Sequence, residues 1–357
     1  MVSGLSHGPQ KRVCRRLLTI LRWGVSAALI LLIVRSVDGR EFLARVKGTN
    51  PWLIGLGLAH APVLIVLAAA RWRLLLGAYS GCTVPFGFSL REYWIGVALG
   101  FFSPASLGLD AYRIIVGSRR FGGYGCNTAV VVVEKALALV TCMGIIAALY
   151  PLVPMNLDTP MRKVFYLAYA LLGLTLILIT GLLLLARGRR FRASRKRMEE
   201  YMTGKLSSVL NRFVAGEGAG IRPVSLEWMV APLYDPRVVW VAAFSFGIQL
   251  VSSLKSQIFF CAMGHDIPLI VNLFVAPAMY FIFLLPISLG SIGIREGVYI
   301  VLYGYFGVPM EVALWLSFFN FSGMILNNLI GGFIMLGGGA LTAEKRNSTA
   351  ETSPQCK

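Results

Sequence analysis

The chain has 357 residues, of which 57% are hydrophobic and only 14% are charged, and its mean hydropathy is +0.71. This composition lies far outside the range of soluble globular domains, so it excludes a soluble fold and predicts a polytopic membrane protein. The formal net charge is +18 at pH 7. In a membrane chain, the placement of the basic residues is more informative than their total, because Lys and Arg in the loops set the orientation.

Six apolar runs are long enough to cross a hydrocarbon core of roughly 30 Å, which takes about 20 helical residues. Three further apolar pieces lie between these runs. Two of them are too short to cross, namely Tyr93–Phe102 and Gly297–Val308, and it is ambiguous whether the third, Ile267–Pro286, crosses. The sequence therefore predicts an all-α polytopic membrane protein of six to eight transmembrane helices with two re-entrant or broken-helix elements. The six runs are Leu17–Ser36, Trp52–Ala70, Cys126–Tyr150, Val164–Ala186, Val238–Met263 and Val312–Leu336.

These runs predict one transmembrane domain over residues 1–340. Its first half covers about 15–186, a basic loop covers 187–237, and the second half covers about 238–340. The last residues, 341–357, are polar and low in hydrophobic side chains, which predicts a disordered tail.

Basic residues are concentrated in two places, the N-terminus before Asp38 and the loop after Ala186. The positive-inside rule then places both termini and the 187–237 loop in the cytoplasm. We expect a multi-pass protein of the cell (cytoplasmic or inner) membrane. The loop lacks the interleaved aromatic residues of a stacking platform, so we expect no nucleic-acid partner. The N-terminal basic residues are Lys11, Arg12, Arg15, Arg16 and Arg22.

One phrase occurs twice, as SPASLGLDAYR at 103–113 and as LPISLGSIGIRE at 285–296. Pro and Gly this close together interrupt an apolar helix, and the freed backbone groups must be satisfied by protein or trapped water. Each phrase is followed by a Phe-Gly pair and then by a full span, which indicates an ancient duplication. The predicted helix-break residues are Pro104, Ser106, Gly108, Pro286, Ser288, Gly290 and Gly293.

Three predicted spans separate the two phrases. Because this number is odd, the second phrase must enter the membrane from the side opposite to the first. The sequence therefore predicts an inverted repeat, the architecture in which a binding site lies near the membrane midplane and access to it alternates between the two faces.

Several ionisable residues lie within or beside the apolar segments. Burying such groups in a membrane is costly, so they normally pair with each other or line water. The predicted headgroup cavity consists of Asp110, Arg113, Glu134, Lys135, Lys255, Arg295 and Glu296. Polar residues at helical spacing add a wet face to two spans: Gln249, Ser252 or Ser253, and Ser256 on one, and Asn320 and Asn327 on the other.

Each of these assignments has a structural alternative. Arg113 precedes Arg119 and Arg120, so it could anchor the chain at the cytoplasmic surface. Glu134 and Lys135 could form structural ion pairs across helices. The long side chain of Lys255 could extend to the interface, and the polar stripes could hold helices together.

The sequence contains no pattern that predicts catalysis. Its three histidines are widely spread, and no Ser-His-Asp, P-loop or metal-ligand spacing is present. We therefore expect no catalytic residues, no metal and no cofactor, and a protein that is not an enzyme.

Two segments of the chain resemble the lysylphosphatidylglycerol synthase transmembrane region, or flippase-like domain. The first is LPISLGSIGIREG followed by a span near Val312, and the second is SPASLGLDAYR followed by Ser-Arg-Arg and a span. The resemblance covers roughly residues 15–338. Family sequences usually carry Gly-Gly-Asp, Gly-Gly-x-Gly and often Asp-Arg. This chain has instead Gly108-Leu109-Asp110, Gly290-Ser291-Ile292-Gly293 and Glu134-Lys135.

The resemblance implies a standalone lipid translocase without the synthase domain, whose cargo is a phospholipid, a glycolipid or a polyprenyl-linked lipid. Arg113, Arg295 and Lys255 would contact an anionic or phosphate-containing headgroup, while Asp110, Glu134 and Glu296 would balance the charge of the empty site.

Three alternatives stay open at this point. The first is a membrane-embedded enzyme, for example a glycosyl or acyl transferase that uses a lipid substrate. The second is an accessory subunit that binds a lipid-modifying or glycosyltransferase enzyme through the basic loop, and the third is a transporter of small solutes or ions.

Overall fold

The structure, a computed structural model, describes residues 48–101, 103, 107–153, 170, 173, 235–283 and 293–345. Within these ranges the protein is all-α, with no strand, and a short 3₁₀ turn at Tyr150–Leu152 follows the fourth helix. The α-helices are α1 (Pro51–Ser80), α2 (Phe86–Gly100), α3 (Leu107–Ser118), α4 (Gly123–Leu149), α5 (Arg237–Ala262), α6 (Leu269–Phe283), α7 (Ile294–Gly304) and α8 (Met310–Lys345).

Four of the predicted spans coincide with α1, α4, α5 and α8, which are long and apolar enough to cross a membrane. The spans predicted at Leu17–Ser36 and Val164–Ala186 lie outside the described residues, as does nearly all of the 187–237 loop. The last helix runs through Lys345, five residues beyond the predicted boundary at 340, and the tail residues after it are not described.

The short helices α2 and α3 form an antiparallel hairpin. At its tip, Gly100 packs so closely on Leu109 that a Cβ added to the glycine would lie 2.9 Å from the Leu109 nitrogen. The hydroxyl of Ser103 joins the two helices, since it donates to the Gly100 carbonyl at 2.7 Å and accepts from the Gly108 amide at 2.8 Å. With 15 residues, α2 is only about 22 Å long. This is shorter than the roughly 30 Å hydrocarbon core of a bilayer, and the chain reverses direction where α2 ends.

The helices α6 and α7 form a second hairpin, and a hydrogen bond joins its two open ends. The Tyr303 hydroxyl at the end of α7 donates to Asn272 Oδ1 near the start of α6, at 2.6 Å. At the start of α7, Gly293 adopts a φ of 84°, and its N–H donates to the Glu296 carboxylate at 2.6 Å. This contact satisfies an amide that helix formation would otherwise leave unpaired.

The order of elements repeats: long helix, short helix, short helix, long helix. Glycines with positive φ mark equivalent turns, Gly81 and Gly264 after the first long helix of each half, and Gly122 and Gly307 before the last. The packing repeats as well. Five helix contacts have a counterpart when the two sets of four helices are exchanged. They are α8–α2 with α4–α6, α1–α2 with α5–α6, α3–α4 with α7–α8, α8–α1 with α4–α5, and α1–α4 with α5–α8.

The helices α1 and α5, each of which precedes one of the two hairpins, pack antiparallel along their lengths. The Asn50 amide before α1 donates to the carbonyl of Ala262 at the end of α5, at 2.8 Å. Further along, Arg71 donates to the Ser245 hydroxyl at 3.2 Å. The long helices that precede the two hairpins therefore run in opposite directions.

Two apolar clusters form the core, one at the open end of each hairpin. The first-hairpin cluster contains Trp72, Phe121 and Val241 among its fully buried members. The second-hairpin cluster contains Phe259 and Phe274. On α5, Val241 and Phe259 belong to different clusters, so the middle of this helix lies between the two packed regions.

Candidate functional site

A cavity of about 380 Å³ lies between the two apolar clusters, and each of the eight helices contributes to its lining. On α5, the lining residues Gln249 to Ser256 fall between Val241 of the first-hairpin cluster and Phe259 of the second. On α4, Glu134, Lys135 and Ala138 line the cavity, while Leu149 packs on the second cluster. The cavity therefore occupies the middle of the bundle.

A buried ion-pair network forms one wall of the cavity. Glu134 on α4 accepts from Arg71 on α1 through one carboxylate oxygen and from Arg113 on α3 through the other, each at 2.7 Å. Arg113 also donates to Asp110 at 2.7 Å, and the second oxygen of Asp110 lies 3.2 Å from the Lys135 ammonium. The network thus joins α1, α3 and α4.

Arg113 lies at the centre of this network and is only 1% exposed. Its guanidinium also faces two aromatic rings, 4.9 Å from the Tyr93 centroid and 5.6 Å from the Trp72 centroid. Such cation–π contacts are strongest where water is excluded. The alternative that Arg113 anchors the chain among the surrounding headgroups is therefore wrong.

Arg71 is a site residue that the sequence did not predict. The predicted span ends at Ala70, immediately before the Arg-Trp-Arg sequence at 71–73. In the structure α1 continues to Ser80, and Arg71 lies inside the bundle with 7% of its surface exposed. The sequence did contain a signal for this position, because apolar residues lie on both sides of Arg71.

Lys255 on α5 lines the cavity and is 9% exposed. No described residue forms an ion pair or a hydrogen bond with its ammonium group. Its burial excludes the alternative in which the side chain extends to the membrane surface. Six charged side chains line the cavity or bond to residues that do. The cations are Arg71, Arg113, Lys135 and Lys255, and the anions are Asp110 and Glu134. Two positive charges are therefore left unbalanced among the described residues.

The second half contributes uncharged polar groups around Lys255. The Gln249 amide nitrogen contacts the Cys142 sulfur at 3.1 Å, and the Asn320 amide nitrogen donates to the Leu316 carbonyl at 2.9 Å. The polar stripes predicted on these two spans thus reach the cavity in part. The uncharged polar residues of the second half that line it are Gln249, Ser252, Ser256, Tyr280, Tyr299 and Asn320.

Arg295 and Glu296 do not line this cavity. Their side chains form an ion pair with each other, and Arg295 also donates to the Ser317 hydroxyl at 3.1 Å and faces the Phe321 ring at 4.2 Å. Glu296 also accepts from the Gly293 amide. The structure thus assigns the pair a local role at the start of α7, whereas the sequence predicted both residues in the cavity.

Of the seven predicted cavity residues, Glu134, Lys135 and Lys255 line the cavity, and Asp110 and Arg113 bond to two of them. Among the helix-break residues, Gly108 lies in the first turn of α3 and Gly293 immediately precedes α7. The others lie outside the described residues: Pro104, Ser106, Pro286, Ser288 and Gly290. In the described part of the chain, no cluster of His, Cys, Asp or Glu could hold a metal ion.

Comparison with known proteins shows where this sequence has relatives. The model of a family described as the lysylphosphatidylglycerol synthase transmembrane region matches residues 19–321. A protein described as a UPF0104 membrane protein, from Methanothermobacter thermautotrophicus, is 23% identical over 313 residues, covering 83% of this chain and 86% of the relative. No solved structure matches.

Proposed function

Because the chain belongs to the lysylphosphatidylglycerol synthase transmembrane-region family, we propose that it moves a lipid between the two leaflets of the membrane. The cargo is a phospholipid, a glycolipid or a polyprenyl-linked lipid with an anionic, phosphate-containing headgroup. The protein binds this headgroup in the central cavity, the acyl or prenyl chains stay in the bilayer, and no bond of the lipid is made or broken.

One observation carries this proposal: a cavity in the middle of a membrane bundle holds two unbalanced positive charges among the described residues. Uncompensated cations are costly at such a position. A site that keeps them suits a ligand that brings negative charge, and charge-assisted hydrogen bonds to phosphate are about twice as strong as neutral ones.

The antiparallel packing of α1 and α5 supports an inverted repeat, with one hairpin entering from each side of the membrane. In this arrangement the two halves can rock around a fixed central site, so that it opens first to one leaflet and then to the other. We place the open end of the first hairpin and both chain termini on the cytoplasmic side of the inner membrane, in accordance with the positive-inside rule.

The geometry suggests different roles for the cations than the sequence did. Arg71 and Arg113 are bound through Glu134 and would brace the site. Lys255 and Lys135 are the better candidates for contacting phosphate, because each ammonium has three N–H donors. Lys135 uses one of its donors on Asp110, and Lys255 uses none on a described carboxylate. Arg295 would stabilise the second hairpin.

The test is a leaflet-transfer assay in proteoliposomes that contain the full chain and a fluorescent phosphatidylglycerol. We expect Lys255→Gln to abolish transfer while the protein elutes as a folded species in detergent. The matched control is Arg119→Gln, which removes an exposed cation outside the cavity and should transfer like the unmodified protein. Undiminished transfer by the Lys255 variant would contradict the proposal.

A further inference from the structure

We infer that the cavity selects a lipid headgroup that combines a phosphate with an uncharged hydroxyl-bearing group, and that it rejects a headgroup carrying an ammonium. This inference rests on the proposed function, since it specifies the cargo of the same cavity. It separates this chain from an aminoacylated phospholipid cargo, whose headgroup carries added amines.

The first argument concerns the carboxylates. Glu134 is the one acidic side chain among the described residues that line the cavity, and both of its oxygens already bind arginines at 2.7 Å. Behind it, the two oxygens of Asp110 bind Arg113 and Lys135. A headgroup ammonium would therefore find no free carboxylate there. It would also lie among cations in a medium that screens charge poorly, which is unfavourable.

The second argument concerns the cations. Lys255 is nine-tenths buried and faces the cavity without an ion-pair partner among the described residues. Lys135, from the opposite half, contacts one carboxylate oxygen at 3.2 Å. Both ammonium groups can donate to phosphate oxygens, so each half of the repeat supplies one cation to the same ligand.

The third argument concerns the wall formed by the second half. Around Lys255 it presents amide and hydroxyl groups rather than charges, from Gln249, Ser252, Ser256 and Asn320. A headgroup that ends at the phosphodiester would offer these side chains no hydroxyl as a partner. Amide and hydroxyl side chains act as both donors and acceptors, as do the hydroxyls of glycerol or of a sugar. The phosphate-binding groups and the polyol-binding groups therefore lie side by side.

The experiment measures binding separately from transfer. Full-length protein in detergent is titrated with dihexanoyl lipids, and binding is followed by native mass spectrometry and by thermal stabilisation. We expect dihexanoyl phosphatidylglycerol to bind at least about tenfold more tightly than the phosphatidylethanolamine or lysyl-phosphatidylglycerol analogue, the size of one charge-assisted contact. Lys255→Gln should remove this preference, and Arg119→Gln should keep it.

Two further ligands test the separate parts of the inference. Dihexanoyl phosphatidylmethanol has the same phosphodiester charge but no hydroxyl, and we expect it to bind several-fold more weakly than phosphatidylglycerol. Soluble glycerol 3-phosphate distinguishes a lipid headgroup from free phosphate as the ligand. Equal or tighter binding of glycerol 3-phosphate would overturn the lipid assignment, and equal binding of phosphatidylmethanol would overturn the role of the polar wall.

The inference and the proposed function fail in different ways. Equal or tighter binding of the lysyl or ethanolamine lipid would overturn the selectivity even if leaflet transfer occurs. Selective binding of phosphatidylglycerol without leaflet transfer would leave the selectivity intact and overturn the translocase function.

Discussion

Arg71 on α1 and Glu134 on α4 form an ion pair of 2.7 Å in the middle of the bundle, although 63 residues separate them in the chain. Arg71 also donates to Ser245 on α5, so one side chain connects three long helices. Through Glu134 the contact extends to Arg113 on the first hairpin. The network therefore fixes the hairpin against the long helices at the edge of the cavity.

Removal of the Glu134 charge should destabilise the protein strongly. Glu134→Gln leaves Arg71 and Arg113 buried without the carboxylate that both contact, and breaking a buried pair in this way costs about 3–5 kcal/mol. The measurement is thermal unfolding in detergent. The exposed carboxylate of Asp266 provides the control, since Asp266→Asn should change stability by less than about 0.5 kcal/mol. Similar melting of the two variants would show that the network contributes little.

Lys255→Met should have opposite effects on stability and function. The substitution removes a buried cation that has no ion-pair partner among the described residues, so the free energy of unfolding should rise by about 1–3 kcal/mol. Leaflet transfer and phosphatidylglycerol binding should fall to background. A variant that is less stable than the unmodified protein would indicate that the ammonium has a structural partner.

Gly117→Ala should disrupt the connection between α3 and α4. A Cβ at Gly117 would lie 1.9 Å from Asn127 Oδ1, and Asn127 is buried with its amide donating to the carbonyls of Phe121 and Gly123. We expect a loss of about 1–3 kcal/mol from this overpacking. Gly144→Ala on α4 is the control, because no atom lies within 4 Å of the added Cβ. It should be neutral or slightly stabilising.

The inverted orientation predicts labelling from opposite sides. Two single-cysteine variants, Asp266→Cys and Arg119→Cys, are made in a cysteine-free background. Position 266 lies after α5, position 119 lies after α3, and both native side chains are exposed. A membrane-impermeant maleimide added to intact cells should modify the 266 variant, whereas the 119 variant should react only after permeabilisation. Labelling of both variants from the same side would contradict the inverted repeat.

The sequence predicted the architecture well because its signals are local. Apolar runs of sufficient length identified α1, α4, α5 and α8, since a membrane-crossing helix needs a minimum number of apolar residues. The two Pro- and Gly-containing phrases located the interruptions between α2 and α3 and between α6 and α7. These features depend on residues close together in the chain.

The site was less predictable, as the two arginines of the repeated phrase show. Arg113 and Arg295 have the same local context, but Arg113 meets the carboxylate of Glu134 on the following long helix. At the corresponding distance after Gly307 the chain has Phe319, which belongs to an apolar cluster. Arg295 therefore pairs with its own neighbour, Glu296.

The amino-acid sequence by itself determined that this is a helical membrane protein with two interrupted helices and with charges placed inside apolar segments, because hydropathy and helix breaking depend on neighbouring residues. Only the tertiary structure decided which charges meet. It brought Arg71 into the bundle, left Lys255 without an ion-pair partner among the described residues and placed Arg295 away from the cavity. The physical reason is that ion pairing depends on distances of a few ångströms between helices that are far apart in the chain.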